Sequence, residues 1–141
     1  MDFTLTKAKL NKEGGIDANY SMSGTRNSVK SAEYPHKDLT DLFRELKPMI
    51  ARVFNIESMQ DFFKVSGICL AGKDENKGCV ILADYVTVGA QMVPVRTPRI
   101  KFGENYYGFE TKLQEVAEKI EDETYKYLFE GKVGELEEFE L

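Results

Sequence analysis

The fold is decided by residues 62–95, which read FFKVSGICLAGKDENKGCVILADYVTVGAQMVPV. Apolar runs at 62–71, 79–87 and 91–95 are separated by a charged loop with a glycine at each end and by a turn at Gly89. Runs of this kind, rich in β-branched and aromatic residues and bounded by glycine, predict a three-stranded meander. Pro94 lacks a backbone N–H and favours an edge position for the third strand. The continuous apolar character of 79–83 predicts a central strand that is covered on both faces.

Residues 2–23 predict a hairpin upstream of the meander. Its second arm alternates between apolar and polar residues, and the apolar set is Ile16, Ala18, Tyr20 and Met22. Such alternation indicates a strand with one buried and one wet face, and the paired glycines Gly14 and Gly15 supply the turn. The stretch 24–35 is polar with few apolar anchors, so we expect it to be an exposed loop.

Two helices are predicted, over 38–54 and 109–130, because apolar residues recur there at three- and four-residue spacing. Pro48 lies inside the first and predicts a kink or two shorter helices, while Gly131 ends the second. The order β-β-α-β-β-β-α indicates an α+β fold with a mainly antiparallel sheet and two long helices packed on one face. We expect a single domain over 1–132, followed by an acidic C-terminal tail at 133–141.

Charge is unevenly distributed along the 141 residues. Residues 1–102 contain 15 Lys and Arg against 12 Asp and Glu, whereas residues 103–141 contain 4 against 12, and the net charge is −5. The asymmetry favours a basic ligand surface beside an acidic segment that binds a partner or inhibits the protein itself. A solvated, glutamate-rich helix face explains the same numbers, so both interpretations stay open.

Composition excludes several classes of protein. Cys69 and Cys79 are too few for a disulfide framework, and His36, the one histidine, excludes a multi-histidine metal site. There is no run of eighteen apolar residues, and the first residues do not resemble a signal peptide. We therefore expect a cytoplasmic protein with no membrane association, no metal and no cofactor.

We find no motif of catalytic residues and expect the protein not to be an enzyme; a hydrolase or nuclease that uses scattered acids ranks last. His36 is interpreted as a helix cap or surface residue, because no activated nucleophile accompanies it. Cys69 and Cys79 lie on neighbouring predicted strands, where buried free thiols are more common than a disulfide. Asp84 interrupts an apolar strand and is expected to face solvent.

Two basic stretches are the candidate ligand-binding elements. The first contains Arg96, Arg99 and Lys101, which suit phosphate groups. Tyr106 and Tyr107 follow, and tyrosine rings stack on bases in many nucleic-acid complexes. A solvated polar loop with its tyrosines packed on the core is the alternative.

The second basic stretch contains Arg26 and Lys30 among hydrogen-bonding side chains, a mixture that suits an anion. It is not a Walker loop, and a loop that merely covers the surface is the alternative. Both candidates depend on geometry, since cations far apart in the chain must meet on a common concave face of a helix-backed sheet.

The C-terminal tail combines acidic residues with the apolar anchors Leu136, Phe139 and Leu141. A segment of this kind can dock into a basic, apolar groove on a partner protein or fold back on its own basic face. A frayed terminus is the alternative.

Four short stretches carry a resemblance to a group of phage proteins: VSGICLAG at 65–72, KGCVILA at 77–83, RTP at 96–98 and YLFEGK at 127–132. Over about residues 60–132 the chain resembles small uncharacterised accessory proteins of tailed bacteriophages and prophages, encoded among early DNA-metabolism or host-interaction genes. The resemblance implies an accessory protein of a mobile element in a bacterial host, and it supplies no catalytic residues. It also implies that a partner of the acidic tail would be a host or phage protein.

Two functions follow as expectations. The first is a non-enzymatic accessory protein that binds single-stranded nucleic acid or a nucleotide through the basic stretches. The alternative is an anti-defence protein that sequesters a host signalling nucleotide or inhibits a host protein. Exposed edge strands also favour a homo-oligomer, and a dimer is the commonest kind.

Overall fold

A sheet and a set of helices form two layers. The structure is a computed structural model that describes residues 2–134. Its strands are β1 (Thr4–Leu10), β2 (Ile16–Met22), β3 (Thr25–Ser31), β4 (Phe63–Ala71), β5 (Gly78–Val86), β6 (Met92–Arg96) and β7 (Ile100–Lys101). Its α-helices are α1 (Lys37–Glu45), α2 (Lys47–Val53) and α3 (Glu110–Phe129), and short 3-10 turns cover Glu57–Phe62 and Asp74–Asn76. The fold is α+β.

The strands follow the order β3-β2-β1-β4-β5-β6, and each pairing is antiparallel. The short strand β7 pairs with the start of β5, beyond the end of β6. The edges of the sheet are therefore β3 on one side and β6 with β7 on the other. Pro94 lies in β6, which confirms the edge position predicted from its missing N–H.

The helices cover one face of the sheet. α1 and α2 pack on β4, α3 packs on β1, and α1 and α3 contact each other. Alternate residues of the strands are buried beneath them, including Ile16, Ala18 and Tyr20 of β2 and Cys79, Ile81 and Ala83 of β5. The opposite face of the sheet has no helix on it among the described residues, and we call it the open face.

The core between the layers consists of aliphatic and aromatic side chains from both. α3 contributes Leu113, Val116, Ala117, Ile120 and Tyr127, each less than 5% exposed. Burying one large side chain of this kind contributes about 1.5–3 kcal/mol relative to leaving it in water. This burial stabilises the packing of the helices on one face of the sheet.

The helix boundaries follow from local chemistry. His36 is the N-cap of α1, since its Nδ1 accepts a hydrogen bond from the backbone N–H of Asp38 at 3.0 Å. This confirms the interpretation of His36 as a cap. Pro48 lies in the first turn of α2, where its missing N–H costs nothing, so the predicted division into two shorter helices is confirmed. Gly131 follows α3 with φ +68°, as expected of the residue after a helix end.

The prediction of a loop over 24–35 is wrong for Thr25–Ser31, which forms β3 and pairs with β2 along its whole length. Ser23 and Gly24 both have positive φ, of 50° and 80°, which is the backbone of a two-residue hairpin turn. Val29 is the one strongly apolar residue of β3. Backbone hydrogen bonds rather than side-chain burial therefore define this edge strand.

Three further expectations need correction. The element order contains the additional strands β3 and β7, and α3 is the one long helix among the described residues. The strand β5 is central, but Val80 and Leu82 are only half-buried on the open face, so it is covered on one face.

Among residues 2–134 we also find that no helix is long and apolar enough to cross a membrane.

Candidate functional site

The open face of the sheet is strongly basic. The register of the strands assigns residues to faces, because partners across a ladder lie on the same side. Val80, Leu82 and Asp84 alternate with the buried residues of β5, so their partners also belong to the open face. Seven cations of the strands lie there by this rule: Lys7, Lys9, Arg26, Lys30, Lys64, Arg96 and Lys101. The strands supply two carboxylates to the same face, Asp17 and Asp84.

These seven cations form no ion pair within 4.0 Å and no side-chain hydrogen bond with another described residue. The helix layer differs. There, Lys37 pairs with Asp41 at 3.6 Å, Lys112 with Glu45 at 3.6 Å, Lys126 with Asp122 at 3.2 Å and Lys132 with Asp38 at 2.8 Å. Within residues 2–134, the cations of the open face therefore have no ion-pair partner, in contrast to those of the helix layer.

One row of residues crosses the whole sheet on the open face. Register partners join strand to strand in the order Lys30, Asp17, Lys9, Gly67, Leu82 and Arg96. We call this set the cross-strand row. Five steps between neighbouring strands, at about 4.8 Å each, give it a length of about 24 Å. Cations therefore stand at both ends and near the middle of a single line.

A recess of about 650 Å³ lies along part of this row. It is lined by Lys9, Lys30 and Lys64 together with Asp17 and Asp84, and it reaches from β3 to Met92 of β6. The residues come from six elements far apart in the chain. Of the cations predicted from the sequence, Lys30 is the one that lines this recess.

Asn11 shapes one end of the recess. Its Nδ2 donates to Asp17 Oδ1 at 3.0 Å and to the Ser31 carbonyl at 2.9 Å. Its Oδ1 accepts from the backbone N–H groups of Glu13 and Gly15, at 3.1 and 2.8 Å. Asn11 thus fixes the β1–β2 turn against β3 and orients the Asp17 carboxylate between the register positions of two lysines.

A second recess of about 580 Å³ lies on the same face at the other end of β3. Its polar lining includes Thr6, Asn19, Ser21, Arg26 and Ser28. Ser28 Oγ donates to Asn19 Oδ1 at 2.9 Å, and Thr6 Oγ1 donates to the Asn19 carbonyl at 3.0 Å. Arg26 is therefore on the open face but apart from the recess that contains Lys30.

The structure brings four of the predicted ligand-binding residues onto one face: Arg26, Lys30, Arg96 and Lys101. Arg99 is elsewhere. Its Nη2 donates to the backbone carbonyls of Ala71, at 3.4 Å, and of Asn76, so its guanidinium holds the loop between β4 and β5.

Tyr106 and Tyr107 also lie apart from the open face, at the start of α3. Their backbone N–H groups donate to the buried Glu110 carboxylate at 2.6 and 3.0 Å. The Tyr107 ring stacks on Phe109, with ring centroids 5.3 Å apart, and its carbonyl accepts a hydrogen bond from Arg52 of α2. The expected grouping of these rings with the cations of the first basic stretch is not found.

The predicted partner-binding residues Leu136, Phe139 and Leu141 lie outside the described residues. Sequence reasoning missed three cations of the open face, Lys7, Lys9 and Lys64. Their alternation with buried residues along β1 and β4 was the available signal.

The two cysteines lie in different environments. Burial raises the pKa of the Cys79 thiol to about 12, with a further contribution from Cys69, so Cys79 stays protonated. Both cysteines are free. Cys69 is the register partner of Lys7 on the open face, whereas Cys79 is buried beneath the helices, so their side chains point to opposite sides of the sheet. Among residues 2–134 no group of three or more His, Cys, Asp or Glu side chains could hold a metal ion.

Comparison of the chain with protein-family models, with curated proteins and with solved structures gave no match.

Proposed function

We propose that the protein binds single-stranded nucleic acid through phosphate contacts on the open face of its sheet. The observation that carries the proposal is the set of seven strand cations on that face, none of which forms an ion pair with another described residue. A phosphate backbone is a line of negative charges. Lysine and arginine side chains that neutralise it release condensed counterions, which is the main source of affinity in such complexes.

The net charge of −5 does not oppose this proposal. Charges further apart than about 8–10 Å are largely screened at physiological ionic strength. The acidic residues are concentrated after residue 102, and the acidic faces of α1 and α3 lie on the other side of the sheet. A ligand at the open face therefore meets mainly the local excess of cations.

The test is fluorescence anisotropy of a labelled single-stranded oligonucleotide, measured with wild-type protein over a range of salt concentrations. A triple variant, Lys9→Gln with Lys30→Gln and Lys64→Gln, removes three open-face charges. The control variant, Lys37→Gln with Lys112→Gln and Lys119→Gln, removes three exposed charges from the helices. At low salt we expect the open-face variant to bind about tenfold or more weakly, and the control to bind as wild type does. Equal losses in the two variants, or no binding by wild type, would contradict the proposal.

The recess favours a second candidate function, the capture of a small nucleotide in an anti-defence role. Its volume of about 650 Å³ lies in the range of small-molecule sites, about 300–1,000 Å³. Lys9, Lys30 and Lys64 line it and suit a phosphate group. A bound ligand raises the melting temperature by mass action. A thermal-shift screen of cyclic nucleotides and ADP-ribose derivatives would therefore find this ligand, and a flat screen would count against it.

The phage resemblance and the homodimer stay predictions. Of the two edges, β6 exposes more apolar surface, since Met92 and Val93 are 52% and 45% exposed, but Pro94 removes one backbone donor from this edge. Antiparallel pairing of two β3 strands about Ser28 would place Arg26 opposite Lys30, and like charges directly opposite are destabilising. Light scattering of purified protein gives the number of subunits.

A further inference from the structure

The cross-strand row is continuous from one edge of the sheet to the other, so it runs across the strands and not along them. Lys30 is on the edge strand β3, Lys9 is on the central strand β1, and Arg96 is on the edge strand β6. Between Lys9 and Arg96 the row contains Gly67 and the half-buried Leu82. Gly67 has no side chain, so nothing projects from the sheet at this position between the cations.

The open face also lacks rings. No Phe or Tyr of β1 to β7 lies on it among the described residues, since Tyr20, Phe63 and Tyr85 all belong to the helix side. The exposed rings of Tyr34, Phe54, Phe62, Tyr106 and Phe129 are outside the strands. Proteins that grip single strands by their bases do so with aromatic side chains at the binding surface. This face offers charge and hydrogen-bonding groups instead.

We propose that the nucleic acid strand crosses the β-strands along the cross-strand row, from Lys30 past Lys9 to Arg96. The protein binds its phosphates and does not contact its bases. The proposal rests on the function proposed above and specifies the path and the mode of contact. A row of about 24 Å accommodates about seven nucleotides of a stacked strand at 3.4 Å each. The Asp17 carboxylate lies on the row between Lys30 and Lys9, where it accepts a hydrogen bond from Asn11 Nδ2 at 3.0 Å, whereas Asp84 lies beside the row.

The path is tested by a crossed pair of substitutions at each edge of the sheet. On β3, Lys30→Gln removes a charge on the row and Arg26→Gln removes one on the same strand but off the row. At the other edge, Arg96→Gln is on the row and Lys101→Gln is off it. The two substitutions on the row and the two off the row thus each include one lysine and one arginine. All four side chains lie on the open face.

The measurement is the dependence of affinity on salt for a labelled twelve-residue oligothymidine. We expect each substitution on the row to lower the slope of log K against log salt by about 0.7, the value for one phosphate contact with a single strand. The two substitutions off the row leave the slope unchanged. Equal decreases in all four variants would overturn the path while leaving the proposed function intact.

An abasic oligomer of the same length tests the mode of contact. We expect it to bind wild type within about twofold of oligothymidine, because even one stacked base contributes about fivefold or more. Tight binding of oligothymidine with weak binding of the abasic oligomer would show that bases are contacted and would overturn this part. If neither oligomer binds even at low salt, the proposed function fails together with the inference.

Discussion

Lys30 on one edge strand and Arg96 on the other belong to the same cross-strand row, joined partner by partner through Asp17, Lys9, Gly67 and Leu82. The relationship arises from pairing, not from proximity in the chain. Its consequence is a basic line across a face that the helices leave uncovered.

Gly67 is required where β1 and β4 approach each other. A Cβ at this position would overlap the Ala8 carbonyl oxygen and lie 2.7 Å from Lys9 Cα, and backbone atoms cannot move aside as the end of a side chain can. We expect Gly67→Ala to lower the free energy of unfolding by about 1–3 kcal/mol, measured by urea denaturation. Gly103→Ala is the control, because its Cβ would have no atom within 4 Å. Equal stability of the two variants would contradict the close approach of the strands.

Glu110 stabilises the entry to α3 through its charge. Burial alone would raise the pKa of its carboxyl group, but backbone N–H donors, including those of Tyr107 and Tyr106, outweigh burial and lower the pKa below 4.5. A carboxyl group whose pKa is lowered on folding stabilises the native state above its unfolded pKa. That contribution is lost as pH falls through the folded pKa.

We therefore expect Glu110→Gln to reduce the free energy of unfolding at pH 7 by about 1.5–3 kcal/mol, the contribution of hydrogen bonds to a charged group. The difference from wild type should shrink at pH values well below 4.5. Urea denaturation at neutral and acidic pH measures both. A difference that stays constant with pH would show that the carboxylate charge contributes nothing.

Cys69 is a natural reporter of the open face. It is half-buried beside Lys7 in the register, whereas Cys79 is buried and its pKa is raised to about 12 by burial and by Cys69. We expect one thiol to react with a thiol reagent at pH 8 in the native protein, and both to react after denaturation. Mass spectrometry of digested protein identifies the labelled residue.

Nucleic acid on the open face should slow the labelling of Cys69. Cys69 lies one row of residues from Lys9, so a strand on the cross-strand row restricts access to the thiol. Labelling is compared with and without excess oligonucleotide, and a Cys79→Ser variant confirms that the signal comes from Cys69. Unchanged labelling at saturating oligonucleotide would place the ligand elsewhere.

The acidic tail should weaken binding through its charge. Residues 135–141 contain four glutamates, at positions 135, 137, 138 and 140, so their removal changes the net charge from −5 to −1. We expect the shortened protein to bind oligonucleotide about two- to fivefold more tightly at low salt, with the gain lost at high salt. Replacement of Leu136, Phe139 and Leu141 by serine keeps the charges and should leave the affinity unchanged. A gain from this apolar replacement would show that the anchors act instead of the charges.

Much of the sheet could be predicted from the sequence, because alternation in β2 and glycine-bounded apolar runs in β4 and β5 are local signals. β3 could not be predicted in this way, since Val29 is its one strongly apolar residue and its partner strand supplies the hydrogen bonds. The turn at Ser23 and Gly24 was the signal that indicated it. An edge strand with a wet face resembles a loop in composition.

The candidate site was only partly predictable for a different reason. Register shifts between Leu5 and Lys7 in β1 and between Val65 and Gly67 in β4 decide which side chains reach the open face, and a shift of one residue reverses the face. Lys7, Lys9 and Lys64 were missed because these shifts interrupt the alternation that would have indicated their common face. Tyr106 was grouped with Arg96 because the two are close in sequence, but β7 and a loop lead the chain from the sheet edge to the start of α3.

The most direct test of the central claim is an NMR titration of isotope-labelled protein with a short single-stranded oligonucleotide at low salt. We expect the side-chain signals of Lys9, Lys30 and Lys64 to shift in a saturable manner. Signals of Lys112 and Lys119 on the helix layer should stay in place. Shifts confined to the helix layer, or none at oligonucleotide excess, would contradict nucleic-acid binding at the open face.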